Sequence, residues 1–227
     1  MESGANTFTL LEMFRLGGIF MWPLLVFSIA TISIGLERTV YLIYHNLKID
    51  DLNSRVTQLI ADRDYKGAVE YLTPLTKRRM GARILLALVN RSVPGQGKAV
   101  SERHMERTAE TEAMTCINSL ENGFNFLVAL GSLSPLTGFL GTVSGMIGAF
   151  KSIAEATEVN AQIVANGIYE ALITTVCGLV IAICAMIFHS VFTHIVDRFT
   201  ANVEKTCTGL ISEIIEQQDE TKTTAQA

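Results

Sequence analysis

The sequence predicts an all-α integral membrane protein: three transmembrane helices, the second and third extended into the cytoplasm, and a helical cytoplasmic domain. Three observations carry this reading. Of 227 residues, 49% are hydrophobic and 18% charged, with a positive mean hydropathy, which suits a membrane protein with a sizeable soluble portion. Three apolar blocks, 16–36, 124–150 and 165–196, approach or exceed the roughly 20 residues a helix needs to cross about 30 Å of hydrocarbon. Charge is uneven: 13 of the 18 Lys and Arg residues fall between Arg38 and Arg107, and the apolar blocks are almost free of them. A net charge of −4 distributed in this way carries no nucleic-acid footprint.

Residues 1–15 form the expected periplasmic N-terminus. Their two acids and one base are unlike the basic leader of a signal peptide, and the apolar run after them is too long, so a retained span at 16–36 is expected. Orientation follows from bases within about twenty residues of the span ends. One side holds Arg38, Lys48, Arg55, Arg107, Arg198 and Lys205, the other Arg15 and Lys151, which puts the large loop and the C-terminus in the cytoplasm.

The loop 37–123 reads as a helical domain. Leu52, Val56, Leu59 and Ile60 recur at helical spacing, Asp64 is positioned to cap "YKGAVEYL", and Pro74 closes that helix. "GARILLALVN" forms another helix before the breaker-rich "RSVPGQGK", and a helix beginning near Ser101 is expected to run straight into the second span at 124–150. A periplasmic loop at 151–164 leads to the third span at 165–196. Residues 197–227 form a cytoplasmic helix and tail, where Phe199, Val203, Leu210 and Ile214 extend a stripe begun at Phe192, Ile195 and Val196.

Within the spans, Gly138, Gly141, Gly145 and Gly148 step by three, four and three, returning to one helix face that permits close backbone contact. The third span has its own small stripe of Ala171, Thr175, Gly178, Ala182 and Ala185. Glu170 stands out, because a carboxylate facing lipid is costly and such residues mark bundle interiors or ion paths. The alternative is that it sits near the outer end of its span and reaches the headgroups. Thr174 lies one turn below it, and Thr142 sits at a similar depth on the second span. A helical threonine often bonds only its own preceding turn, yet with Glu170 the three outline a short polar track. Thr174 lies closer to the Glu170 face than Thr175, and spacing leaves open which of them meets it.

No other constellation carries chemistry. Cys177 and Cys184 share a face as packing residues, and the four cysteines lack the spacing of a disulfide framework or zinc site. His189 and His194 read as interfacial residues. "PGQGKA" lacks the rest of a phosphate loop. "TKRRM" reads as a solvated loop end, with contact to anionic lipid as the alternative. No metal, cofactor or enzymatic activity is expected.

"LSPLTGFLGTVSGMIGAF" followed by "VNAQIVANGIYEALITTVCGLVIAI" resembles the paired second and third spans of the MotA/TolQ/ExbB proton-channel family. The three-span layout is similar to ExbB and TolQ rather than to the four-span flagellar stator subunit. The resemblance implies residence in the bacterial inner membrane and a homopentamer around two single-span helices of an ExbD- or TolR-like partner that supplies a membrane aspartate. It also implies that proton flow drives a TonB-like or Tol-like protein. By position it assigns Glu170, Thr142 and Thr175 to the proton pathway, with Thr174 an addition to the usual pattern. Pro135, Gly138, Gly141, Gly145, Gly167 and Gly178 take structural roles. The competing expectations are a membrane scaffold whose glutamate only bonds a neighbouring helix, and a transducer for another process such as gliding. Proton against sodium stays open.

Overall fold

In a computed structural model of the chain, residues 14, 17–92, 102–155 and 161–226 are described. The expectations placed on most of 1–15, on "RSVPGQGK" from position 93 onward, on Ser101 and on 156–160 lie outside the described residues. Among the described residues all regular structure is helical: α1 (Met21–Tyr44), α2 (Asp50–Ala61), α3 (Tyr65–Leu72), a 3₁₀ turn (Thr73–Lys77), α4 (Met80–Ser92), α5 (Glu102–Glu121), α6 (Phe124–Glu155) and α7 (Ala161–Gln226). Three of these, α1, α6 and α7, hold stretches long and apolar enough to cross a membrane.

Residues 1–37 and 123–191 form one compact unit. Here α1 lies along α7 through Met21 and Leu24 against Ile173, with Phe27, Cys177 and Ile181 at the margin. The antiparallel α6 meets the neighbouring face of α7. Bulky side chains elsewhere on these helices, among them Trp22, Val26, Ile29, Phe139, Ile147, Leu172 and Ile183, are exposed, as expected of surfaces whose solvent is lipid.

Residues 38–122 and 192–227 form the second unit. Its helices are amphipathic: of the α2 residues at helical spacing, Leu52, Val56 and Ile60 are buried and Leu59 is half-buried, and Ala68 and Leu72 on α3 and Ile84, Leu85 and Leu88 on α4 are buried as well. The Asp64 side chain caps α3 by accepting from the Gly67 N–H at 2.8 Å, an interaction worth about 1 kcal/mol. Pro74 tightens the end of α3 into the 3₁₀ turn. On α7, Phe192, Val196, Phe199, Val203, Leu210 and Ile214 are buried, and Ile195, counted in the same stripe, is exposed. Gln217 ties this end of α7 into the unit: its amide donates to the Ile60 carbonyl at 2.9 Å and its oxygen accepts from the Tyr65 hydroxyl at 3.2 Å. Burial raises the thiol of Cys116 and pushes that of Cys207 up to about 11. Both therefore stay neutral at physiological pH, as packing thiols do.

The expected uninterrupted helix from the cytoplasmic domain into the second span does not form. α5 ends at Glu121 and α6 starts at Phe124, with Gly123 at φ 90° between them. That conformation favours glycine, and the Asn-Gly pair at 122–123 is a turn signal that interrupts the helical pattern.

Candidate functional site

The α6–α7 contact is built from missing side chains. A Cβ on Gly178 would lie 2.5 Å from the Ser134 carbonyl oxygen, and one on Gly138 would lie 2.8 Å from the Thr174 carbonyl oxygen, so at both points backbone rests on backbone. Gly141 leaves room for the Thr174 side chain, and Gly145 and Gly167 lie against each other's turns. With no water-driven force between helices in lipid, such close approach supplies dispersion contact and short polar bonds instead. Pro135 sits inside α6 without ending it. Beside it, the buried Ser134 hydroxyl donates to the Leu130 carbonyl at 2.7 Å within its own turn.

Gly148 departs from the expected stripe: nothing lies within 4 Å of a Cβ placed there. Ala149, 8% exposed, takes the fourth position and packs on Gly167. At about 100° per residue, position 149 returns to within roughly 20° of Gly138, whereas 148 lies some 80° away.

The threonines sort by partner. The Thr174 hydroxyl is buried and within hydrogen-bond reach of the Ala171 carbonyl at 2.8 Å and of the Gly138 carbonyl across the interface at 3.3 Å. Thr175 donates to the same Gly138 carbonyl at 3.2 Å. Thr142 bonds back to Phe139 at 2.6 Å within its own helix. Among the described residues no hydrogen bond joins any of the three to Glu170, so the structure draws Thr174 and Thr175 together at the Gly138 crossing and leaves Thr142 and the acid apart from them.

Glu170 has a different seat. Its half-buried carboxylate rests on Gly18, in the turn that opens α1, where any Cβ would collide with Oε1. Gly18 has φ +66°, and its carbonyl accepts from the Met21 N–H at 3.3 Å. Glycine thus meets two needs at this position, a left-handed backbone and an empty space the acid fills. Helical periodicity gives no sign of this contact, because Gly18 lies 152 positions before Glu170. The double glycine at 17–18 was the available signal.

The stretch of α7 from Glu170 to His189 rises about 28 Å, close to the hydrocarbon thickness. At the other end of that stretch, Phe188 packs on Gly35 and the His189 ring meets Phe124 edge-on at 6.2 Å. The carboxylate therefore lies near one end of the apolar stretch, covered by the Gly18 turn. Among the described residues no Lys or Arg pairs with it.

Replacing Gly18 by Ala forces the carboxylate to move and costs about 1–2 kcal/mol of left-handed backbone strain. The expected outcome is a chain that accumulates at near-normal levels but melts at a lower temperature than wild type. An unchanged melting temperature would show that the acid does not need this seat.

The comparisons agree with this architecture. Residues 76–205 match the MotA/TolQ/ExbB proton channel family. The putative biopolymer transport protein ExbB-like 3 of Synechocystis is 31% identical over 192 residues, covering 83% of this chain and 87% of the relative. The biopolymer transport protein ExbB of Salmonella typhimurium is 27% identical over 186 residues, 81% of this chain and 75% of its own. The Tol-Pal system protein TolQ of Haemophilus influenzae is 45% identical over a shorter 74-residue stretch, 33% of this chain and 32% of its own. The family consists of channel and transducer subunits rather than enzymes. With its three apolar helices and glycine-packed helix pair, the chain belongs to the MotA/TolQ/ExbB proton channel family.

Proposed function

We propose that this chain is the large subunit of an inner-membrane motor complex that turns proton-motive force into work on a periplasmic or outer-membrane system, with Glu170 as its proton-binding acid. One observation carries the reading: a carboxyl group in an otherwise apolar span, seated on the backbone of Gly18 with no cationic partner among the described residues. A purely structural glutamate would be expected to bond a neighbouring helix. This one instead stays half-exposed near the end of the apolar stretch, where protons can be exchanged with water. With the large loop in the cytoplasm, that end is the periplasmic one, from which protons enter down the gradient. Each charge crossing 100 mV releases about 2.3 kcal/mol, and several per cycle suffice to drive a conformational step.

The second acid comes from a single-span partner of the ExbD or TolR type, two copies of which are enclosed by five copies of this chain. Thr174 and Thr175 hold α7 against α6 at Gly138, and thereby fix the face of α7 that carries Glu170. Curated relatives of both ExbB and TolQ types support a TonB-type or Tol-type output, the choice being made by the partner's periplasmic portion.

Native mass spectrometry of the chain co-purified with its single-span partner tests the assembly, with five-to-two stoichiometry expected. A cysteine at position 142 should crosslink to the partner helix, and one at position 27, occupied by the α1–α7 contact, should not. A monomer, or the reverse crosslinking pattern, would overturn the arrangement.

A further inference from the structure

We propose that the end of α1 and the 3₁₀ turn together form a binding site for the headgroup of an anionic phospholipid in the cytoplasmic leaflet. The site begins with a run of rings along α1. The Arg38 guanidinium lies over the Tyr41 ring at 5.2 Å, the Tyr41 and His45 rings are 4.2 Å apart, His45 and Tyr44 are 5.3 Å apart, and Arg78 lies over Tyr44 at 5.9 Å. Arg38 also donates to the Ser119 carbonyl at 3.4 Å, whereas the cation–π contact of Arg78 holds its guanidinium in place without using its N–H groups. The contact with Tyr44 brings the "TKRRM" segment, 32 to 36 residues later in the chain, to the end of α1.

Depth follows from helix geometry. Counted from Gly18, where Glu170 sits, at 1.5 Å per residue, about 30 Å of hydrocarbon ends near Arg38, so Tyr41, Tyr44 and His45 stand in the headgroup layer. The outer face of α1 agrees: Val40 is 66% exposed, Ile43 74% and Tyr44 56%, an apolar and then amphipathic edge of the kind found at a membrane interface. Flanking this contact in the chain, Lys48, Lys77 and Arg78 are exposed and Arg79 is half-buried, and among the described residues no carboxylate pairs with any of them. Asp50 and Asp51, the acids nearest Lys48 along the chain, occupy the first turn of α2, where they complement the helix dipole. Unpaired cations at headgroup depth beside an apolar edge suit a ligand with a phosphate joined to acyl chains. A soluble anion would gain nothing from Val40 and Ile43.

The test is the full-length chain in phosphatidylcholine vesicles doped with spin-labelled phosphatidylglycerol, with spin-labelled phosphatidylcholine as reference. The expected result is a preference for phosphatidylglycerol of about fivefold or more, given roughly 1 kcal/mol per cation near the surface. It should collapse towards one in Lys77→Gln/Arg78→Gln/Arg79→Gln and persist in Lys151→Gln. Salt at ~0.5 M should weaken the wild-type preference without any substitution, which keeps the test valid if the triple variant misfolds. Glycerol phosphate at millimolar concentration should not displace the lipid. A wild-type ratio near one, a ratio unmoved by both salt and the triple substitution, or displacement by glycerol phosphate would overturn the assignment, the last in favour of a soluble phosphate ligand.

Discussion

Glu170→Gln is expected to leave the complex assembled at wild-type levels and to abolish its proton-motive-force-dependent output. The amide keeps the size of the side chain and its capacity to hydrogen-bond, but it cannot carry a proton on and off. If Glu170 only filled the space above Gly18, Gln would serve at least as well, because a neutral amide is easier to bury than a carboxylate. The threonines should matter less. Thr142→Ala removes a hydroxyl that is spent on the carbonyl of Phe139 in its own helix. Thr174→Val and Thr175→Val each remove one bond to Gly138, worth about 0.6 kcal/mol by the average for polar contacts between membrane helices. Output measured against complex level separates these outcomes, and full output from well-assembled Glu170→Gln would return the residue to a scaffold role.

Gly178→Leu is expected to prevent accumulation of the complex altogether. The added Cβ would meet the Ser134 carbonyl oxygen at 2.5 Å and the Gly138 Cα at 3.3 Å, and neither is the movable tip of a side chain. Relief requires the two helices to part, which breaks the Gly138 bonds of Thr174 and Thr175 and opens the whole row from Ser134 to Ala149. Overpacking a side chain in a soluble core costs about 1–3 kcal/mol. Separating two backbones should exceed that range. Gly148→Ala is the matched control, since its Cβ would touch nothing in the chain. Immunoblots of membrane fractions check both variants: near-absence for Gly178→Leu and wild-type abundance for Gly148→Ala. Equal abundance of the two would refute the close-packed crossing.

How legible the structure is in the sequence depends on how local each feature is. Spans, caps and amphipathic faces follow from periods of a few residues, which is why the core positions of α2, α3 and α4 and the Asp64 cap can be read directly. The break at 122–123 is equally local, marked by an Asn-Gly pair between two stretches of helical pattern. Gly148 and Ala149 show the limit of counting small residues by type, because helix geometry, not glycine itself, decides which position faces the partner. Spacing alone also failed to sort the threonines: both 174 and 175 straddle the Gly138 carbonyl. The seat of Glu170 was the least legible feature. Its partner lies 152 positions earlier in the chain, and what recommends Gly18 is the absence of a side chain.

The most direct test of the proton-site reading uses the purified complex reconstituted into vesicles carrying a pH-sensitive dye. A potassium diffusion potential of ~100 mV would drive protons inward with about 2.3 kcal/mol per charge. Acidification that depends on the potential in the wild-type complex, and falls to the rate of empty vesicles in Glu170→Gln, is the predicted result. Acidification by Glu170→Gln at the wild-type rate would contradict it.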